Sequence, residues 1–374
     1  MLPNVLNLPD GSRAADAADW RHHHRPQLLA LFEEHIFGRA PAPCIPQVVA
    51  RRGPFQVHGG TVEELELALW PGVPPLTMML ARPHGVEKAP CFVGLNFTGN
   101  HSLITAPVAI VNGVGADGPP AASERRQYEQ VWCIESLLTR GWAVATAFYG
   151  EIEPDIAKPE QALSQAWTSC GANGAAISSW AWQVQRMVDV LVTDARIDAG
   201  RLVAVGHSRL GKTSLWAAAQ DERFAAMITN QSGCGGAAPV RGTPADAEDV
   251  RSITSVFGHW FCPSFALAAN DPESFPIDHH QLLALCAPRP VIVSNAEDDR
   301  WADPHGQFRA LQAAAPAWRL FDAAAQVPDI IPLVGTGGGT RLHWWWRLGP
   351  HAMTPAEWSA WLPILAQELA PARA

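Results

Sequence analysis

The run LVAVGHSRLGKTSLWAAA, residues 202–219, decides the fold. LVAVG (202–206) is a short apolar run of the kind that forms a strand buried on both faces of a sheet. TSLWAAAQ (213–220) reads as a helix. Between them stand Gly206, His207, Ser208, Arg209, Leu210 and Gly211, a G-x-S-x-x-G pattern. Strand, glycine, serine, glycine and helix in this order describe a sharp turn that lifts a serine hydroxyl above the strand's C-terminal end. Gly206 and Gly211 leave room for the backbones to approach. The helix N-terminus offers N–H groups to a developing oxyanion. A bare G-x-S triplet is common by chance, so the flanking strand and helix carry the reading against an ordinary strand–helix turn.

The same rhythm extends on both sides. CFVGLNF (91–97), WAVATAF (142–148), AAMITNQ (225–231) and PVIVSNA (290–296) read as further strands. TVEELELALW (61–70) and LTMMLARP (76–83) read as extended segments nearer the N-terminus. Helices are expected over 20–38, 174–193, 281–287, 304–315 and 355–370. Strands alternating with helices predict a mainly parallel central sheet with helices on both faces, a three-layer α/β sandwich. The expectation is one domain over 1–374, with residues 1–60 as a helical and extended N-terminal extension packed on it. Irregular stretches at about 98–125, 150–173 and 233–280 are too long for plain connections and read as binding walls or lids. GTGGGT (335–340) lacks a following lysine and helix, so it is not read as a phosphate loop.

Bulk properties narrow the function. The 374 residues are 48% hydrophobic and 17% charged, which suits one large core. A formal net charge of −9 argues against a nucleic-acid partner. No run of about 18 apolar residues occurs, so no membrane partner is expected. MLPNVLNLPDGSRAADAADW, the first stretch, has no basic segment followed by an apolar one and does not read as a signal peptide. The seven cysteines are scattered without a CxxC pair, which disfavours a zinc site and leaves room for one disulfide at most. His22, His23 and His24 are consecutive and read as a solvated helix face rather than a metal site. Sixteen tryptophans stand beside two tyrosines, most of them read as packing and two or three as substrate contacts.

A serine nucleophile needs a base, and the base needs an orienting acid. In this fold the chain order is serine, acid, histidine. His351 in RLGPHAMTPAEW stands just before the final helix and fits the base; His343, in the strand-like LHWWWR, is the runner-up. The acid is expected after PVIVSNA, where Glu297, Asp298, Asp299, Arg300, Trp301, Ala302, Asp303 and Pro304 follow. Asp299 is the first choice, with Glu297 and Asp298 as alternatives.

Several segments together resemble the glucuronoyl esterases, carbohydrate esterase family 15, in their bacterial branch of the α/β-hydrolase superfamily. They are GHSRLGK (206–212), NQSGCGG (230–236), HWFC (259–262), APRP (287–290) and EDDRWADP (297–304), with FVGLNFTGNHS (92–102) and ISSWAWQ (177–183). The resemblance covers about residues 20–370. It implies hydrolysis of a uronic acid ester by Ser208 and His351, with Arg209 on the oxyanion. Lys212 and Trp301 would contact the sugar, and Trp260 and His259 are further candidates for substrate contact. No metal or cofactor is implied, and the partner is a carbohydrate ester bound by a monomer. The family is usually secreted or periplasmic, which leaves the compartment of this chain open.

The chain departs from the family in three respects. Gln231 and Ser232 stand where the usual family acid, a glutamate, is found, so Asp299 is expected to supply the carboxylate. Fungal members carry a disulfide beside the serine and histidine, at the places of His207 and Ala352 here. The family's uronate-binding Gln and Glu have no clear match in DVRSITSVFGHWFCPSF (249–265). The loop Thr98-Gly99 is expected to add N–H donors to the oxyanion site. Two rival readings remain: another carbohydrate esterase, such as an acetylxylan esterase, and a non-catalytic carbohydrate-binding homologue.

Overall fold

Along the strand before the serine, Leu202 and Ala204 pack into one hydrophobic cluster while Val203 and Val205 pack into another. This alternation is the period of a strand whose two faces are both covered. The computed structural model describes residues 2–370. Its strands are β1 (Gln47–Val57), β2 (Gly60–Ala68), β3 (Leu76–Pro83), β4 (Ala89–Asn96) and β5 (Ala143–Phe148), then β6 (Ile197–His207), β7 (Phe224–Asn230), β8 (Val291–Ala296), β9 (Gly337–Thr340) and β10 (Leu342–Arg347). They form a 10-stranded sheet in the order β1-β2-β3-β5-β4-β6-β7-β8-β10-β9.

The middle of the sheet, β5-β4-β6-β7-β8-β10, is parallel throughout. Antiparallel pairing is confined to the two ends: β1, β2 and β3 run to β5 on one side, and β9 pairs with β10 on the other. The expected N-terminal extension therefore ends in a sheet strand, β1, which pairs with β2 from Gln47 to Val57.

The main helices are α1 (Arg25–Phe32), α2 (Ile134–Thr139), α3 (Ala176–Leu191), α4 (Arg209–Gln220), α5 (Val250–Phe257), α6 (His279–Ala284), α7 (Pro304–Arg319) and α8 (Pro355–Glu368). Helices α2 and α8 cover one face through Leu137, Leu138, Trp358, Trp361 and Leu365. Helices α1, α3, α4, α6 and α7 bury residues such as Phe32, Trp180, Trp216, Leu282 and Leu311 in the cluster on the other. Trp216 stacks on Phe37 with ring centroids 4.6 Å apart, a contact that adds about 0.5–1.5 kcal/mol to plain burial. This is the three-layer α/β-hydrolase arrangement.

Most tryptophans are packing, as expected: Trp20, Trp167, Trp180, Trp182, Trp216, Trp318, Trp344, Trp358 and Trp361 are fully buried. One expectation changes and one open possibility closes. His22 and His23 are exposed, but His24 is buried and its ring lies 5.4 Å from that of Trp20, so the triplet is not one solvated face. His24 stands four residues after the buried Trp20 and so falls on the same inward helix face. All seven cysteines are free thiols, so no disulfide forms. No helix among the described residues is long and apolar enough to cross a membrane.

Candidate active site

The parallel strands all deliver their C-terminal ends to one edge of the sheet, where ligands of open α/β sheets bind. Strand β6 stops at His207, and Ser208 begins α4 with φ 57° and ψ −128°. A positive φ on a serine is strained and holds its side chain out of both elements. The turn is tight: a Cβ on Gly206 would meet the Leu210 carbonyl oxygen at 1.9 Å. The Ser208 N–H donates to Asn230 O at 2.9 Å, tying the turn to the end of β7. The first N–H groups of α4 have no acceptor within the helix and are free to face an anion.

His351 follows β10 in the segment leading to α8. Its Nδ1 lies 2.6 Å from Asp299 Oδ2. Asp299 is buried, whereas Glu297 and Asp298 are exposed. Those two residues serve the backbone: Glu297 N–H donates to Arg347 O and Asp298 N–H to Gly349 O. His343, the runner-up base, sits at the start of β10, the end away from Ser208, and its Nε2 pairs with Glu368 at 2.7 Å. Ser208, Arg209 and His351 line one cavity of about 450 Å³. The rest of its wall is mostly apolar and includes Leu95, Phe97, Leu103, Trp132 and Met353.

The segment carrying His351 is clamped from three sides. Gln231 takes the Ala352 N–H on Oε1 at 3.0 Å and donates Nε2 to the Ala352 carbonyl at 2.7 Å. Gln231 itself is buried, with φ 50°. Arg347 donates to Leu348 O, Pro350 O and Ala352 O at 2.8–3.0 Å, and its Nε reaches Glu357 at 2.5 Å. Glu357 also closes the capping box of α8 with Thr354. The third support is His207, whose ring centroid lies 4.4 Å from that of His351. Burial, with the neighbouring His351 and Arg347, pushes the His207 pKa far below the usual histidine range. Asn230 Nδ2 donates to His207 Nδ1 at 3.1 Å, which leaves the His207 proton on Nε2.

The other expected residues lie apart from this cavity. Lys212 is buried and donates Nζ to Ser232 O at 2.7 Å; burial lowers its ammonium pKa. Trp301 is 54% exposed and lines a second cavity of about 350 Å³ with Asp249, Ser252 and Pro272. Trp260 is buried behind Arg209, whose guanidinium carbon lies 4.6 Å from its ring centroid. His259 Nε2 and Trp260 Nε1 both donate to Asp155 Oδ1, at 2.9 and 2.6 Å. The Thr98-Gly99 expectation does not hold for Gly99, because its N–H already donates to Asn96 Oδ1 at 2.8 Å. Thr98 does line the cavity, with its hydroxyl 2.7 Å from that of Ser102.

Sequence reasoning missed Asp155. It lies in the irregular stretch after β5, and its Oδ2 accepts Tyr149 OH at 2.9 Å and Arg209 Nη1. Burial alone would raise its pKa. Donation from His259, the Arg209 charge and the Trp260 and Tyr149 bonds outweigh that and hold it at about 2. The available signal was position: an acid just past a buried parallel strand, on the edge where ligands bind.

Comparison with known proteins settles the family. The description "Glucuronyl esterase, fungi" matches residues 137–322. A carbohydrate esterase from an unknown prokaryotic organism is 33% identical over 96% of this chain and 88% of that one. The chain belongs to the glucuronoyl esterases, carbohydrate esterase family 15. A 4-O-methyl-glucuronoyl methylesterase of Schizophyllum commune is 31% identical over 92% of this chain and 78% of its own. The structure of a glucuronoyl esterase from Solibacter usitatus superposes with a TM-score of 0.87 at 31% identity, covering 98% of this chain and 97% of that one. As a member of this family the protein is a carboxylic-ester hydrolase.

Proposed function

We propose that the protein hydrolyses glucuronoyl and 4-O-methyl-glucuronoyl esters through an acyl-enzyme on Ser208. The observation that carries this reading is the 2.6 Å bond between His351 Nδ1 and Asp299, on a histidine that shares a cavity with Ser208. An Nδ1–H donated to a buried carboxylate fixes the tautomer and leaves Nε2 as the base.

In the first step Ser208 Oγ bonds to the ester carbonyl carbon and its proton passes to His351 Nε2. Arg209 and the N–H groups at the start of α4 stabilise the oxyanion. Collapse breaks the bond to the alcohol oxygen, which takes the proton back from His351. Water then attacks the acyl carbon and gives a proton to His351; the bond to Ser208 Oγ breaks, His351 returns the proton to that oxygen, and the carboxylic acid leaves. The His207 ring, tilted 38° to that of His351 with centroids 4.4 Å apart, supports the base from behind. The apolar wall of Leu95, Phe97, Leu103 and Trp132 suits the alcohol portion. Trp301, exposed on the rim of the second cavity, suits the flat C–H face of a sugar. The reading includes a single α/β-hydrolase domain acting as a monomer, with no cofactor.

The test is hydrolysis of benzyl glucuronate beside an acetylated xylose, by wild type and Ser208→Ala. Cleavage of the glucuronate ester that vanishes in Ser208→Ala is expected. Cleavage of the acetyl ester alone would keep the serine chemistry and replace the substrate class. Sugar binding without serine-dependent turnover of either ester would overturn the catalytic reading.

A further inference from the structure

Arginine is a demanding choice for an oxyanion donor. Its side chain is long, and at the first turn of a helix its charge is repelled by the helix dipole. Left to itself it would swing toward water. In this structure three contacts prevent that. Arg209 Nη1 is bonded to Asp155 Oδ2. The guanidinium lies over Trp260 at 4.6 Å and over Phe257 at 5.4 Å. Trp260 and Phe257 in turn stack 4.0 Å apart at 7°. Among the described residues Asp155 is the only side chain that hydrogen-bonds the guanidinium.

Asp155 is held as firmly as it holds. Its side chain is 1% exposed, and its N–H donates to Val114 O at 2.9 Å. Tyr149 OH, His259 Nε2 and Trp260 Nε1 occupy the acceptor sites that Arg209 leaves. Burying a carboxylate among so many donors is a poor way to gain stability, because desolvation offsets most of the attraction. It is an effective way to fix the direction of one N–H fork.

We infer that Asp155 is the positioning residue of Arg209: it anchors one Nη so that the other faces the cavity that holds Ser208. His259 and Trp260 then act through the same carboxylate, as its donors. The inference rests on the oxyanion role given to Arg209 above. It adds that Asp155 works only through that arginine.

A double-mutant cycle on benzyl glucuronate hydrolysis tests it, using Asp155→Asn, Arg209→Met and the pair, with kcat and KM measured separately. Arg209→Met is expected to lower kcat about 100-fold. Asp155→Asn is expected to lower kcat by roughly 10-fold or more with KM little changed, and to have almost no further effect in Arg209→Met. Asp155→Glu keeps the charge and acceptors but displaces the anchor; it serves as the second variant if Asp155→Asn does not fold, and the same pattern is expected of it. An equal loss from the Asp155 change in both backgrounds overturns the inference and leaves the arginine reading intact. An Arg209→Met enzyme with full kcat overturns both.

Discussion

Gln231 and Ala352 meet twice, the glutamine amide accepting from the Ala352 N–H and donating to its carbonyl, across a separation of 121 residues. The position after β7 thus holds a neutral latch for the histidine segment. The carboxylate that bonds the histidine comes instead from the loop after β8. Two neighbouring tasks, orienting the ring and holding its backbone, are divided between two strand ends.

Under the proposed mechanism the division leaves Asp299 with no substitute on the Gln231 side. Asp299→Asn is expected to lower kcat by about 10⁴-fold, since the wrong tautomer is then favoured. Glu297→Ala should change kcat less than twofold, because that side chain points into solvent. Steady-state kinetics on both variants checks the pair, and a reversed order of effects would move the acid to Glu297.

Gln231→Glu should not rescue Asp299→Asn. A carboxylate at this buried place keeps the acceptor for the Ala352 N–H but sets an oxygen against the Ala352 carbonyl. The expected loss of stability is about 1–3 kcal/mol. Thermal unfolding and residual kcat of the double variant test this; recovery of activity to within tenfold of wild type would show the glutamate orienting His351 after all.

Arg347→Met should slow turnover from a distance. It removes the donors that hold Leu348, Pro350 and Ala352 and strands Glu357. Breaking a buried pair in this way costs about 3–5 kcal/mol. The variant is expected to melt well below wild type and to lose kcat more than KM. Unchanged kcat in the folded fraction would separate the clamp from catalysis.

Asp278 offers a pH test away from the chemistry. Its carboxylate caps α6 and accepts from Val240 N–H, Arg241 N–H and Arg241 Nη1. Burial works against ionisation, but the His279 bond and nearby charges hold its pKa at about 2, below the ordinary 3.8. A depressed acid stabilises the fold above its unfolded value, and the effect fades as pH falls from about 4 through about 2. The shift corresponds to about 2 kcal/mol. Asp278→Asn should lose that much stability at pH 7 and show a flatter acid limb in urea titrations from pH 5 to 2. Parallel acid limbs would refute it.

Much of this architecture was legible because it is local. A strand run, two glycines and a serine specify the elbow within ten residues, and the Gly206 contact at 1.9 Å shows why no other residue type serves there. The pairing of Asp299 with His351 was legible from chain order, since each follows a recognisable strand. Asp155, Arg347 and Gln231 were not, because their meaning lies in partners brought from far along the chain. Asp155 meets residues 104 and 105 positions away, a relation that no window of sequence contains. Trp260 and His259 drew attention as substrate contacts, yet both N–H groups turn inward to the same carboxylate.

The cysteines of this chain are all thiols, and the latch around His351 consists of amides, a guanidinium and an imidazole. Nothing in it is made or broken by electron transfer. The enzyme should therefore reach its working geometry without an oxidising folding step, and millimolar dithiothreitol should leave its turnover untouched. Thiol–disulfide exchange therefore has no purchase on the site proposed for catalysis.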